Sequence, residues 1–211
     1  MTISDNGIAF IKDYEGFRSN VYWDSGSAFI GYGTICRSWD YPDGISQETA
    51  DTLMRQALSV KEDTVNKIFA KYNVQLTQNQ FDAIISFTYN LGTGWMSSNT
   101  RLYNYLISGI SNYSDIQIVN AIATWCHQGK SVSSILVERR LGEAKVFLYS
   151  DYTGVDPHTY RYLTFDAGNG SVDNSIVFFE YGTSYGDYQT AKLDGKTFAG
   201  WVNSGGDYIT S

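Results

Sequence analysis

Two carboxylic acids near the start of the chain, Glu15 and Asp24, have the types and spacing that cleavage of a glycosidic bond requires. Glu15 lies at the end of an amphipathic segment. Asp24 lies in a β-prone stretch that leads into the glycine-punctuated run Ile30-Gly31-Tyr32-Gly33. Most glycosidases place one carboxylic acid beside the leaving oxygen and a second carboxylate across the bond. The pair therefore predicts a glycosidase-type site; the alternative is two ordinary solvated surface residues.

A helix and a β-ribbon must position these two acids. Apolar residues recur at helical spacing before the first acid, Ser4 or Asp5 can cap the helix start, and Gly16 can end it. A helix C-terminus disfavours negative charge, which favours the protonated form that a general acid must keep near neutral pH. From Val21 onward, aromatic and β-branched residues around a Gly/Ser turn predict two short strands. The second acid then falls at the edge of the turn, where it stays hydrated and ionised.

Three stretches of the chain carry motifs in a fixed order. They are Glu15-Gly16-Phe17-Arg18 with Tyr22, Asp24 and Ile30-Gly31-Tyr32-Gly33, then Leu76 to Gly94, then Ile135 to Phe147. Together they resemble the phage-type lysozymes of glycoside hydrolase family 24, which include phage endolysins, over about residues 3–150. The resemblance implies an α+β fold, in which a mainly helical lysozyme-like domain carries a small β-hairpin lobe.

The same resemblance implies an activity. It predicts a muramidase that hydrolyses the β-1,4 bond between N-acetylmuramic acid and N-acetylglucosamine in bacterial peptidoglycan, with an inverting course. Glu15 would protonate the leaving oxygen, and Asp24 would position water or stabilise the oxocarbenium-like charge. The resemblance implies no metal and no cofactor.

The chain departs from this family at Phe29. The family usually has a threonine there, just before the Ile-Gly of the hairpin, and this threonine is thought to help hold the attacking water. Phenylalanine cannot hydrogen-bond a water molecule. A substitute hydroxyl could come from Ser27 or from Thr34, where the family often has histidine. We favour Thr34 as the third catalytic residue, and the alternative for each is an ordinary turn or strand residue.

Three residues are candidates for binding substrate. Asn90 occupies a matched position before a glycine loop, where it would contact sugar or simply cap a helix. Arg139 and Arg140 match a basic pair of the family, one member of which is expected to approach the catalytic acid; the alternative is a solvated helix face. Gln128 is a candidate for the wall of the cleft. His127 lacks the clustered Cys, His or Asp partners of a metal site, so we expect neither a ligand nor a base.

Composition limits the classes of partner. The chain has 211 residues, 43% of them hydrophobic, which is enough for a packed core. Its net charge of −7 argues against nucleic-acid binding. We see no signal peptide and no apolar stretch approaching about 20 residues, so we expect no membrane span. The resemblance to phage lysozymes then implies a monomer that stays in the host cytoplasm until a phage holin releases it to the wall; the alternative is that a signal has been removed.

The composition changes near Ser150, which divides the chain into three predicted parts. Residues 1–150 are the lysozyme-like domain, 151–159 a linker, and 160–211 a small β-rich module. The last part resembles the Listeria–Bacteroides, or internalin B-type, repeat, which implies a small β-grasp-like fold. The matching residues are Thr164 to Gly170, Tyr181-Gly182, Thr197 to Trp201 and Gly205-Gly206.

The pairing of domains, rather than any residue, suggests that this module binds the cell wall. We expect the aromatic residues of the repeat motif, Phe165, Phe198 and Trp201, to form its core, because a domain of about 50 residues needs large side chains to be stable. If sugars bind there, surface tyrosines are the better candidates. These are Tyr181, Tyr185 and Tyr188.

Two rival functions and one redox question stay open at this point. Phe29 in the threonine position favours a lytic transglycosylase, which needs an acid but no attacking water. Together with the surface-repeat resemblance, it also favours a catalytically weak lysozyme fold that serves in adhesion. Cys36 and Cys126 are predicted to be two reduced thiols, with a disulfide bridge as the alternative.

Overall fold

A computed structural model describes residues 1–154, 159–184 and 187–209. Within these ranges the chain forms six α-helices, one short 3₁₀ helix and nine short strands. The helices are α1 (Asp5–Glu15), α2 (Gln47–Lys71), α3 (Gln78–Leu91), α4 (Arg101–Ser108), α5 (Asp115–Ala123) and α6 (Ser134–Tyr149), with the 3₁₀ turn at Ile110–Asn112. The strands are β1 (Arg18–Asp24), β2 (Ser27–Gly31), β3 (Thr34–Cys36), β4 (His127–Gln128), β5 (Ser131–Val132), β6 (Tyr160–Thr164), β7 (Ile176–Glu180), β8 (Trp201–Val202) and β9 (Tyr208–Ile209).

The first helix begins and ends where the sequence predicts. The Ser4 hydroxyl accepts a hydrogen bond from the Gly7 N–H at 3.2 Å, which satisfies one of the free donors at the helix start. Gly16 adopts φ +65°, a conformation that favours glycine, and its N–H donates to the Lys12 carbonyl at 2.9 Å. The helix therefore stops with Glu15 as its last residue.

Helices α3 and α6 pack against each other at the centre of the molecule, and α1 packs on α3. Two glycines allow α1 to come close. A methyl group at Gly7 would meet the Asp82 side chain of α3 at 2.8 Å, and one at Gly142 of α6 would collide with the Tyr14 hydroxyl. The C-terminal end of α1 is thereby held next to the middle of α6.

The N-terminal ribbon is a three-stranded antiparallel sheet in the order β1-β2-β3. Ser25 and Gly26 form the first turn, both with positive φ (48° and 83°), as tight two-residue hairpins require. The sequence predicted only two strands, because Thr34 to Cys36 is too short to show an alternation of its own. The pairing aligns Asp24 with Ser27 and Ile30 with Thr34, which fixes the face that each side chain occupies.

The C-terminal part is β-rich, and the α+β class is confirmed. Strands β6 and β7 form one antiparallel hairpin, and β8 and β9 form a separate two-stranded sheet. Phe165 is buried against Trp201 (5.0 Å between ring centroids), and Trp201 also contacts Phe198 (5.3 Å). Of the three predicted core aromatics, Phe165 is buried, whereas Phe198 and Trp201 are only partly buried. Of the candidate surface tyrosines, Tyr181 is exposed, Tyr188 contacts Phe165 at 6.3 Å, and Tyr185 lies outside the described residues.

The β6–β7 hairpin packs directly on the helical part. The Asn120 side-chain amide of α5 donates to the Phe178 carbonyl at 3.0 Å and accepts from the Phe178 N–H at 3.1 Å. Tyr160, Ile176 and Phe178 belong to the same buried hydrophobic cluster as the helices. The β6–β7 hairpin is therefore attached to α5 by the hydrogen bonds between the Asn120 side chain and the β7 backbone, and by apolar packing.

The first half of the predicted linker is also attached to the helices. The Tyr152 hydroxyl donates to Asp82 at 2.7 Å, and Lys145 forms a 2.7 Å ion pair with Asp151. Residues 155–158, including Pro157, lie outside the described residues, so the domain boundaries stay a prediction. In the described parts of the chain, no helix combines the length and the apolarity of a membrane span.

Candidate active site

Glu15 lies between the N-terminal ribbon and α6, with its side chain only 18% exposed. Its Oε1 accepts a hydrogen bond from Arg139 Nη1 at 2.7 Å. Its Oε2 faces Gly33, where a methyl group would come within 2.9 Å of this oxygen. Gly33 also has φ +74°, so both its backbone conformation and the space beside it require glycine. The Ile-Gly-Tyr-Gly motif thus serves to bring the ribbon backbone against the acid.

Arg139 is shared between two carboxylates. Besides Glu15, it contacts Glu143 through Nε at 3.3 Å, and Glu143 also binds Arg140 and accepts from the Ser86 hydroxyl at 2.7 Å. Burial lowers the pKa of Arg139, but the charges of Glu143 and Glu15 outweigh this effect and raise it. Two buried positive charges therefore alternate with two carboxylates, and Glu15 is at the solvent-facing end of the row.

Asp24 is exposed at the end of β1, as expected for the second acid. The Ser25 hydroxyl donates to its Oδ1 at 3.1 Å. Tyr22, two residues earlier on the same face of the ribbon, lies near both acids. Burial raises the pKa of Tyr22, and the charge of Glu15 and then that of Asp24 add to this effect. The phenol of Tyr22 thus stays protonated between the two carboxylates.

The two candidate hydroxyls lie on opposite faces of the ribbon. Ser27 is paired directly with Asp24, and Phe29 is paired with Tyr22, so these residues share one face. The Phe29 ring stacks on Tyr22 with 5.8 Å between centroids. Thr34 is paired with Ile30 and lies on the other face. The residue that replaces the family threonine is therefore part of the wall beside Asp24.

The Thr34 hydroxyl is buried near Tyr89. Its Oγ1 has no hydrogen-bond partner that meets distance and angle criteria among the residues that the structure describes. The Tyr89 hydroxyl donates to the Tyr32 carbonyl at 2.6 Å. Burial raises the pKa of Tyr89 to about 12; the nearby Thr34 hydroxyl lowers it, and the Glu15 charge raises it. Thr34 thus lies near Tyr89, on the face of the ribbon opposite Asp24.

The remaining candidates for substrate binding, Asn90 and Gln128, lie in different environments. Asn90 accepts a hydrogen bond from Arg140 Nη2, while Gly92 rather than Asn90 caps α3. Gln128 is exposed on the β4–β5 hairpin, and the neighbouring His127 contacts Ser175 of the C-terminal part at 2.7 Å.

Both cysteines are free thiols. Cys36 is partly buried on β3, and burial raises the pKa of its thiol. Cys126 is fully buried between α5 and β4, where burial raises the pKa of its thiol to about 11. A thiol with a raised pKa is less reactive at neutral pH, because the thiolate is the nucleophile. Neither cysteine is therefore suited to act as a nucleophile.

The family model for phage lysozyme matches residues 12–143 of the chain. The chain belongs to the phage lysozyme family. Its region of similarity to the endolysin of Bacillus phage B103 is 35% identical and covers 76% of this chain and 59% of that protein. The similarity to the endolysin of Salmonella phage P22 is 32% identical and covers 70% and 99%. The chain spans less than two thirds of the Bacillus phage relatives that it matches.

Solved structures agree with this membership of the phage lysozyme family. The endolysin from Escherichia coli O157:H7 phage FAHEc1 superposes with a TM-score of 0.61 at 31% identity, over 72% of this chain and 96% of that one. The family match includes Glu15, Asp24, Arg139 and Glu143. The lysozyme-like fold and the α+β class predicted from the motifs are thereby confirmed.

Several residues of this site were missed in the sequence. Glu143 is four residues after Arg139, a spacing typical of any helical ion pair, so the sequence gives no sign that it is buried. Ser86 and Tyr89 lie inside the matched stretch from Leu76 to Gly94, but in an apolar run, and this pattern predicts core positions rather than site residues. Tyr22 had a detectable signal, because it alternates with Asp24 on one face of a strand.

Proposed function

We propose that the chain is a peptidoglycan hydrolase of the muramidase type that cleaves the β-1,4 bond between N-acetylmuramic acid and N-acetylglucosamine. One observation carries this proposal: a mostly buried Glu15, fixed by Arg139 and by the backbone at Gly33, and an exposed Asp24 both raise the pKa of Tyr22 through their charges. A shielded acid and a hydrated carboxylate are the two partners that glycoside hydrolysis needs.

In this mechanism Glu15 donates its proton to the leaving oxygen. Asp24 stabilises the positive charge that develops on the sugar and orients the attacking water on the opposite side. Arg139 fixes the rotamer of Glu15, and Glu143 pairs with Arg139 from the other side. A hydroxyl, from Ser27 or Thr34, completes the water site. Asn90, Gln128 and Arg139 are proposed to contact or frame the sugar.

The test is the loss of turbidity of a suspension of bacterial walls. Glu15→Gln keeps an oxygen that can accept from Arg139 but cannot donate a carboxylic proton, so the rate should fall about 10²–10⁴-fold. Trp39→Ala, which changes a 70% exposed side chain outside the acid pair, is the control for handling and folding. Equal rates for wild type and Glu15→Gln would contradict the assignment.

A lytic transglycosylase is the second candidate, favoured by the Phe29 ring beside Asp24. Such an enzyme uses an internal sugar hydroxyl in place of water, so its products end in anhydro-muramic acid. Mass spectrometry of digested walls separates the two reactions, since hydrolysis adds one water to each cut. A third candidate, a catalytically weak adhesion protein, predicts wall binding without any cut products.

The C-terminal strands are proposed to be an internalin B-type repeat that holds the enzyme on the wall. The exposed Tyr181 ring, with Arg161 stacked over it at 5.1 Å, supports a binding role. The enzyme would act as a monomer, with release from the host cytoplasm through a holin. Retention of the full chain on purified walls tests anchoring, and unchanged retention after Tyr181→Ala would exclude this ring as a contact.

A further inference from the structure

A groove of about 530 Å³ lies between the helical part and the C-terminal strands. We call it the junction groove. One wall comes from the β4–β5 hairpin and the start of α6, with Lys130, Ser131 and Ser134. The other comes from β6 and the loop after it, with Tyr162, Thr164 and Asp166. Neither wall could form this groove alone, so its existence depends on how the two parts are joined.

The two walls are held at a fixed separation by folded contacts. Next to the groove, His127 Nε2 on the hairpin lies 2.7 Å from the Ser175 hydroxyl on the opposite wall. Farther away, the Tyr149 and Tyr160 hydroxyls are 2.7 Å apart, and Asn120 bonds both backbone groups of Phe178. The groove is therefore a pre-formed feature, as binding sites for small ligands usually are.

The chemistry of the walls matches a neutral sugar. In the described ranges, no salt bridge involves Lys130 or Asp166, so the groove presents an ammonium and a carboxylate without an ion-pair partner. Asp166 Oδ1 accepts one hydrogen bond, from the Gly168 N–H at 2.8 Å. The lining also includes the hydroxyls of Ser131, Ser134, Thr164 and Ser175. Tyr162 is 44% exposed and offers a ring face. Sugar hydroxyls and N-acetyl groups both donate and accept hydrogen bonds, while the C–H face of a pyranose packs on aromatic rings.

The junction groove and the catalytic acid are connected through one helix, α6. Ser134 is the first residue of α6, and Arg139, which binds Glu15, follows five residues later, a rise of about 7.5 Å along the helix axis. We propose that the junction groove binds a further saccharide unit of the same glycan strand that is cut at Glu15. This inference rests on the proposed function and adds to it a second binding site, separate from any site on the repeat itself.

The test uses the full-length chain with Glu15→Gln, so that ligands are bound but not cut. The probes are the hexamer and the trimer of β-1,4-linked N-acetylglucosamine, followed by NMR. The hexamer should shift the amide signals of Ser131, Thr164 and Asp166. Tyr162→Ala should weaken hexamer binding about threefold to tenfold and leave trimer binding unchanged. Tyr208→Ala, which changes an exposed tyrosine of the C-terminal part outside the groove, is the matched control.

Absence of hexamer-induced shifts at these amides overturns the inference, as does equal hexamer affinity with and without the Tyr162 ring. Because Tyr162 packs on Phe178 at 5.8 Å, its loss could disturb the hairpin, so Lys130→Ala in an exposed turn serves as a second variant. It should also weaken the hexamer alone. Shifts that require a wall fragment carrying a stem peptide would assign the groove to peptide and refute the saccharide. Failure of the wild type to lyse walls, with groove shifts present, would contradict only the proposed function.

Discussion

Replacing Glu143 by glutamine should weaken both the fold and the control of the catalytic acid. Glu143 is completely buried and takes hydrogen bonds or ion pairs from Arg139, Arg140 and Ser86. Without its charge, two buried guanidinium groups share the single carboxylate of Glu15. Breaking a buried ion pair from one side costs about 3–5 kcal/mol. In a chain of this length, that corresponds to a fall in Tm of about 6–20 °C.

The same change should also slow catalysis. Glu143 and Glu15 flank the Arg139 guanidinium, so loss of the Glu143 charge leaves Arg139 held more strongly by Glu15. A general acid must give its proton to the leaving oxygen, and a carboxylate held in a tight ion pair does so poorly. The value of kcat/KM on walls should therefore fall, at most by the factor of about 10²–10⁴ that general acid catalysis contributes.

The assay is the initial rate of wall clearing, with thermal unfolding measured on the same samples. Ser86→Ala is the control, because it removes one hydrogen bond to Glu143 without changing any charge. It should lower Tm and leave kcat/KM nearly unchanged. An unchanged kcat/KM in folded Glu143→Gln would refute the idea that Glu143 balances Arg139. A Tm as high as that of the wild type would refute the burial argument.

Three further predictions follow from single contacts. Gly33→Ala should reduce kcat/KM on walls about 10²-fold, because the new methyl group displaces the Glu15 carboxylate. A variant with a lower Tm but unchanged activity would contradict this displacement. Asn120→Ala should remove both hydrogen bonds to the Phe178 backbone and speed proteolytic cleavage near residues 151–159, which mass spectrometry measures. The control Asn112→Ala should leave the rate of this cleavage unchanged. The hydrogen bond from Lys145 lowers the pKa of Asp151. The Lys145–Asp151 pair therefore stabilises the fold at pH values above about 4, the ordinary pKa of Asp, and this stabilisation is lost as the pH falls below that value. The Tm difference between wild type and Asp151→Asn should therefore shrink in strong acid, and a difference independent of pH would argue against this pairing.

The position of the acid could be predicted from the sequence because its causes are local. A helix stripe, a capping serine and Gly16 are all within one turn of the residues that they affect, and they place Glu15 at the helix end. The approach of Gly33 to Glu15 was implicit in the family motif. The helix-pair spacing of Arg139 and Glu143 was visible too, but burial depends on which helix packs over that face, which is not a local property.

The packing of the C-terminal strands on α5 could not be predicted, for a similar reason. Composition predicts a β-rich segment after residue 160, and strands are found in this segment. It does not show that Asn120, one of three polar residues on α5, bonds the backbone of β7. Strand partners far apart in sequence are chosen by shape and by unsatisfied backbone groups, which appear only after the helices are assembled.

The strand register of the ribbon indicates which hydroxyl could orient the attacking water. In an inverting glycosidase the water attacks from the side opposite the acid, where the second carboxylate activates it. The register puts Ser27 directly beside Asp24, and it puts Thr34 on the other face of the ribbon, near Tyr89. A hydroxyl that helps Asp24 to orient this water must lie within reach of Asp24. The strand pairing therefore favours Ser27 over Thr34 for this task, and Phe29 stacks on Tyr22 on the same face as Asp24.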